Sequence, residues 1–196
     1  MNILIRANTE QQQILLAKNT TANIIWYSNE ISEADAYIDL LFTPENNIFK
    51  SIEHKPVIVS SVITTGNNLP KNFARINAWN TFLEKEKLEL VTNNEIEVGN
   101  ILKQLNYQYI PVPDIIGMIA PRNIAMIINE AYFALEDEIS TKEQIDTAMK
   151  LGTNYPYGPF EWANKIGLQN IADLLNELSK TDERYIPSKL LVKELL

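Results

Sequence analysis

Asn77, Trp79, Asn80 and Glu89 bring two amides, an indole and a carboxylate into the short stretch 77–89. A carboxylate can take a proton and an amide can hold a carbonyl or hydroxyl, so these four suit a polar site for a small ligand. Asparagine does not titrate, which leaves Glu89 as the one base among them. Other chemistry-bearing residues are sparse. The single histidine, His54, stands just before Pro56 and reads as a surface residue. Glu136-Asp137-Glu138 suggests a cation cluster, but no histidine or further carboxylate is placed to complete a shell, so a solvated helix end is expected. Lys85-Glu86-Lys87 reads as a solvated turn or strand edge. Trp26, Trp79 and Trp162 are expected in core packing rather than around a cofactor.

Composition narrows the classes further. The chain has no cysteine, which removes thiolate catalysis, disulfides and cysteine metal sites. A formal net charge of −8 argues against nucleic acid or an anionic membrane as partner, because phosphate neutralisation needs clustered Lys and Arg. The apolar run 115–135 carries Arg122, Asn123, Asn129 and Glu130, so a buried helix is expected there and not a membrane span. Met1–Arg6 has no signal-peptide character and reads as a first strand, and a cytoplasmic location is expected.

The elements that must position these residues fall into two groups. Apolar runs at 2–6, 23–28, 36–42, 56–60, 73–79, 87–92 and 107–112 read as strands. Helices are expected from Asn8 or Thr9 to about Lys18, from Thr43-Pro44 to about Ile52, and from Asn93 or Asn94 to Leu105. Strands alternating with helices imply a parallel sheet with helical crossovers. Pro111 and Pro113 mark the exit. Beyond Asp114 five helices are expected, at about 116–136, 141–151, 159–166, 168–181 and 187–195.

The second group carries ordered motifs: Ile116-Gly-Met-Ile-Ala-Pro-Arg122, Asn129-Glu-Ala131, Gln144-Ile-Asp-Thr-Ala-Met149, Gly152-Thr-Asn-Tyr-Pro-Tyr-Gly-Pro-Phe160 and Gly167-Leu168. In order and spacing these resemble the C-terminal domain of the 3-hydroxyacyl-CoA dehydrogenase family, over about 90 residues. Gly158 is expected to permit an unusual turn, Pro159 to start a helix, and Phe160 and Trp162 to fill a core. The resemblance implies an α/β plus all-α protein. A reduced, truncated Rossmann-like parallel-sheet domain would span 1–113, and an all-helical, dimerising dehydrogenase-type domain 114–196.

The family reaction is NAD-dependent oxidation of 3-hydroxyacyl-CoA to 3-oxoacyl-CoA in fatty-acid β-oxidation, and its parts map unevenly onto this chain. The glycine-rich turn that lets pyrophosphate approach a helix N-terminus is replaced by Ile5-Arg-Ala-Asn-Thr-Glu-Gln-Gln12, and no glycine precedes Gly66. Ser28 falls where an acidic residue holds the ribose, a weak cofactor contact. A CoA-contacting helical segment is missing, with only Asn29–Asp35 in its place. The family's His–Glu pair aligns with Asn77 and Glu89. Asn80 matches, while Pro121 takes the place of a substrate-orienting asparagine. Ser60 and Thr64 keep part of a polar cluster, which with Trp79 and Asn80 would line a substrate cleft between the domains. These departures imply a catalytically degenerate member without bound NAD, in a structural, partner-binding or regulatory role. It would be a homodimer through the helical domain, or a heteromer with an intact dehydrogenase. Two alternatives stand beside it: an active, divergent dehydrogenase using Glu89 or a water as base, and a module holding another small ligand.

Overall fold

The computed structural model describes residues 1–196, which divide into two compact units, Met1–Met118 and Ile119–Leu196. The first unit is built on seven strands: β1 (Asn2–Arg6), β2 (Asn23–Trp26), β3 (Ala36–Asp39), β4 (Val57–Ser60), β5 (Phe73–Ile76), β6 (Lys87–Val91) and β7 (Gln108–Pro111). They form one sheet in the order β2-β1-β3-β4-β5-β6-β7. Every pairing is parallel except β5–β6, which is antiparallel.

Alternation along the strands divides two cores. Ile3, Ile5, Ile38, Ile58, Ile76, Leu88 and Leu90 face one side, and Leu4, Tyr37, Val57, Val59 and Phe73 the other. Two helices, α1 (Thr9–Leu16) and α2 (Glu95–Gln104), cover the first face, burying Leu15, Val98, Ile101 and Leu102. Each such side chain contributes roughly 1.5–3 kcal/mol relative to exposure. The second face has no helix longer than one turn. The helix expected from Thr43 to Ile52 is a single 3₁₀ turn, Pro44–Asn46, capped by Thr43 and released at Asn47. Phe42, Phe49, Ile48, Ile52 and Leu69 fill that face from irregular segments instead. Helical crossovers are therefore confined to α1 and α2, and the sheet is fully formed without the rest.

Residues 114–118, expected from the sequence to belong with the helical domain, are held by the first unit. Asp114 pairs with Arg75 and accepts the Gly66 N–H, and the Gly117 N–H donates to the Val62 carbonyl at 2.8 Å. Gly117 has φ +81, a left-handed conformation open to glycine at little cost.

The second unit comprises α3 (Ala120–Glu136), α4 (Lys142–Thr153), α5 (Pro159–Ile166), α6 (Leu168–Ser179) and α7 (Lys189–Lys193). Ile124, Ala125, Ile128, Asn129, Ala131 and Tyr132 form the buried stripe of α3, at the spacing of one helical face. Pro121 lies in the first turn of α3, where its missing N–H would have had no helical partner, so the helix starts there without a kink. No helix is long and apolar enough to cross a membrane.

Candidate functional site

Ser60 closes β4, and Asn77 follows the last residue of β5, so both sit at the carboxyl ends of adjacent parallel strands. Asn77 is only 1% exposed. Its Oδ1 accepts the Trp79 N–H at 3.3 Å, which fixes the amide's orientation, and its Nδ2 is buried without an acceptor. A buried donor left unmade costs about 1–3 kcal/mol, so such a group calls for an explanation. The antiparallel pair Ile76–Leu90 makes Asn77 and Glu89 the next facing positions along β5 and β6. Glu89 is half-buried, as are Ser60, Thr64, Trp79 and Asn80. Asn80 turns toward α1, where its Nδ2 donates to Glu10 at 3.4 Å. Thr64 offers its carbonyl to the Ser61 hydroxyl at 2.9 Å.

Arg75 underlies this corner, and sequence reasoning passed over it. Its guanidinium is 1% exposed and donates to the Ser61 carbonyl at 3.1 Å, the Val62 carbonyl at 3.1 Å, the Ile115 carbonyl at 3.4 Å and the Asp114 carboxylate. Burial pulls its pKa down, and the Asp114 carboxylate opposes that pull. One side chain thus fastens the loop after β4 to the segment 114–115. The available signal was a lone charge inside the apolar strand Phe73-Ala-Arg-Ile76.

The other carboxyl-end corner bears on the dinucleotide that the fold implies. In an open α/β sheet that ligand enters where neighbouring strands connect in opposite directions, here between β1 and β3. Arg6 and Asp39 are register partners there and form an ion pair at 3.2 Å, while Arg6 also donates to the Asn46 carbonyl at 3.0 Å. Burial pushes the Asp39 carboxyl up to about 6, against the opposing effects of Arg6 and the Leu41 N–H. The α1 N-terminus is closed by its own side chains. Asn8 Oδ1 accepts the Gln11 N–H at 2.9 Å and Gln11 Oε1 accepts the Asn8 N–H at 3.0 Å, a complete capping box. Glu10 adds negative charge in the first turn. Side chains therefore stand where a glycine turn would admit pyrophosphate, and the residues present do not fit it. Ser28 is exposed, two residues beyond β2.

In the second unit the ordered sequence motifs prove to be fastenings. Asn129 donates to the Ile186 carbonyl at 2.9 Å and accepts the Ser188 N–H at 2.8 Å. Glu136, expected in a solvated acidic end, accepts the Ser188 hydroxyl at 2.7 Å and the Leu190 N–H, and these donors hold its pKa below the usual carboxylate range. Asp146, from the Gln144–Met149 motif, accepts the N–H groups of Phe160 at 2.8 Å and Glu161 at 3.1 Å, capping α5 from another helix. Gly158 does not make an unusual turn: φ −76 and ψ 168 suit any residue. Its need is for space, because a Cβ there would lie 2.3–2.4 Å from Asp146 atoms. Pro121 is buried in the first turn of α3 and offers no donor. His54, outside all of this, has a 92% exposed side chain.

Comparison with known proteins places these motifs. The family described as 3-hydroxyacyl-CoA dehydrogenase, C-terminal domain, matches residues 117–195. The 3-hydroxyadipyl-CoA dehydrogenase of Escherichia coli K12 is 43% identical over 97 residues, 48% of this chain and 20% of that protein. The 3-hydroxybutyryl-CoA dehydrogenase of Bradyrhizobium diazoefficiens is 30% identical over 139 residues, 67% of this chain and 47% of that protein. The chain thus spans about half or less of the length of these curated relatives. Among solved structures, the (S)-3-hydroxybutyryl-CoA dehydrogenase of Ralstonia eutropha shares the fold, with a TM-score of 0.79 at 19% identity over 99% of this chain and 93% of that one. Motif order and sequence similarity agree: residues 117–195 belong to the family of the 3-hydroxyacyl-CoA dehydrogenase C-terminal domain, and the chain as a whole shares the fold of solved dehydrogenases of that kind.

Proposed function

We propose that this chain is a catalytically degenerate member of the family, cytoplasmic, without bound NAD, that acts by binding rather than by oxidising 3-hydroxyacyl-CoA. The observation that carries this reading is Asn77, which stands where the resemblance expects the proton-accepting histidine. An amide at that position cannot take the alcohol proton as hydride leaves, and losing a positioned acid–base group costs roughly 10²–10⁴ in rate. The side-chain cap on α1 and the Arg6–Asp39 pair support the loss of the cofactor. Calorimetry with NADH and a turnover assay with acetoacetyl-CoA are the test, with no binding and no turnover expected. Turnover together with NADH binding overturns the proposal.

The role that remains is structural, partner-binding or regulatory, through a homodimer of the helical unit or a heteromer with an intact dehydrogenase. Large apolar side chains exposed on that unit support an interface, including Leu151 at 83%, Ile139 at 71% and Ile186 at 52%. Light scattering is expected to give twice the chain mass of 22.4 kDa, and a monomer at all concentrations removes the homodimer. A second reading rests on the placement of Glu89 opposite Asn77. If Glu89 serves as the base, a residual activity would follow its ionisation and vanish in Glu89→Gln.

A further inference from the structure

We propose that the open edge of β2 is an interface for a second copy of this chain. Two β2 strands pair antiparallel about a two-fold axis and join two sheets into one. The contact lies wholly on the first unit and is separate from the helical-unit contact proposed above.

The two edges of the sheet differ in kind. β2 and β7 are the outer strands, each with a single neighbour. On β7 the Gln108 and Val112 N–H groups bond inward to the Glu86 and Leu90 carbonyls, so alternation turns the peptide groups of Tyr109 and Pro111 outward. Proline has no N–H to offer, and that edge is closed to pairing. On β2 the Asn23 and Tyr27 N–H groups bond inward to the Met1 and Ile5 carbonyls. Ile24 and Trp26 therefore present their N–H and C=O groups outward, with neither proline nor charge to blunt the edge. No helix or strand stands between β2 and β3 in the chain, and Ile24, Ile25 and Trp26 are only half-buried.

The arrangement of those groups selects the occupant. A two-fold axis beside Ile25 sets Ile24 opposite the partner's Trp26, and Trp26 opposite the partner's Ile24. Each such pair exchanges two N–H···O=C bonds, so every outward group of one strand meets one of the other. Ile24 and Trp26 lie on one face of the sheet, so each pair also sets an aromatic ring beside a β-branched chain. Head-to-tail pairing with β7 of another copy would leave a β2 carbonyl unmet at Pro111, which favours the self-complementary contact. Charge favours the same occupant. A formal net charge of −8 sets copies against one another, but residues 19–29 hold no charged side chain. So few bonds make a small contact of the transient class.

The test uses the whole 196-residue chain, in which an added cysteine meets no native one. Ile25→Cys is expected to form a disulfide-linked dimer under mild oxidation. That position faces itself across the axis at about 4.5 Å between Cα atoms, within disulfide reach. Ser28→Cys would lie roughly 20 Å from itself across the same pair and is expected to stay unlinked. In the parent chain, hydrogen exchange at the Ile24 and Trp26 amides is expected to slow as concentration rises, while the Tyr109 amide does not respond. Ile24→Pro removes an outward donor and spares the bonds to β1. It is expected to move the midpoint of the Trp26 response to at least about tenfold higher concentration. Should that variant fail to fold, linkage and parental exchange decide alone. Equal linkage at both cysteines, linkage at neither, exchange indifferent to concentration, or an unmoved midpoint overturns the proposal. A doubled mass without linkage or slowed exchange would keep the helical-unit dimer and sink this one. A doubled mass that Ile24→Pro returns to 22.4 kDa would keep this one and sink the other.

Discussion

Replacing Gly158 with alanine is expected to cost the helical unit about 3 kcal/mol, and to cost almost nothing once Asp146 has been cut back to glycine, which removes its Cβ as well. The backbone at Gly158 has φ −76 and ψ 168, so alanine meets no conformational penalty there. The whole cost comes from the added Cβ, which would sit 2.3–2.4 Å from Oδ1, Cβ and Cγ of Asp146. Overpacking of this kind costs about 1–3 kcal/mol. Displacing Asp146 also weakens its bonds to the Phe160 and Glu161 N–H groups, and hydrogen bonds to a charged group contribute about 1.5–3 kcal/mol each. Asp146→Gly alone should cost about 3–5 kcal/mol, since it uncaps α5, leaves the buried Phe160 N–H unmet and puts a glycine inside α4. The double variant should match Asp146→Gly, giving a coupling close to the full cost of the Gly158 change. Urea unfolding followed by Trp162 fluorescence reads the second unit, with Trp26→Phe and Trp79→Phe silencing the first. If Gly158→Ala costs the same in both backgrounds, the steric account is wrong and the glycine is there for some other reason.

Three further outcomes follow from the described contacts. Asp39 holds its proton more tightly in the folded state, with a carboxyl raised to about 6, than in the unfolded chain. Its contribution to stability is therefore present below about pH 4 and lost as pH rises through 6, by about 2–3 kcal/mol. Asp39→Asn should flatten that fall in urea midpoints between pH 4 and 7, and an unchanged slope removes the argument. Arg75→Lys keeps the charge but not the planar fork that reaches the Ser61 and Val62 carbonyls and Asp114 together, and should cost about 2–4 kcal/mol. Hydrogen exchange at the Gly66 and Gly117 amides should quicken with it, and unchanged protection there would separate Arg75 from the loop. Asn129→Ala strands the Ile186 carbonyl and the Ser188 N–H, at about 2–3 kcal/mol. Trypsin should then cut at Lys189 and Lys193 sooner, and parental resistance would place the hold on α7 elsewhere.

How much of this was legible in the sequence depends on how local each cause is. The strands and the caps of α1 and α2 could be read directly, because alternation and an Asn before a polar–apolar run are local signals. The helix expected at 43–52 failed for a tertiary reason. Thr43 and Pro44 do start a turn, but Asn47 leaves the helical region and Phe49 is drawn fully into the sheet's second face. Asp146 belongs to a legible motif, yet its partners lie 14 and 15 residues away and no local pattern announces them. The role of Gly158 was misread for the same reason: the constraint is a neighbour and not its own backbone. At the site, Asn77 and Glu89 were picked out by resemblance, and the antiparallel β5–β6 pair accounts physically for their spacing. Arg75 carried a signal that was overlooked, while the contacts at the Arg6–Asp39 corner needed the strand order to be known.

The Arg6–Asp39 corner also bears on what can be engineered. Asn8 and Gln11 satisfy each other, as do Arg6 and Asp39, so none of the four can change toward a nucleotide-binding turn without leaving its partner stranded. Glycine at position 8 removes the cap of α1, glycine at position 11 empties a buried contact, and loss of Arg6 leaves a buried carboxylate alone. Each such change lowers stability before it confers any affinity for pyrophosphate. An engineer wishing to install a nucleotide-binding turn would have to replace the whole β1–α1 junction at once.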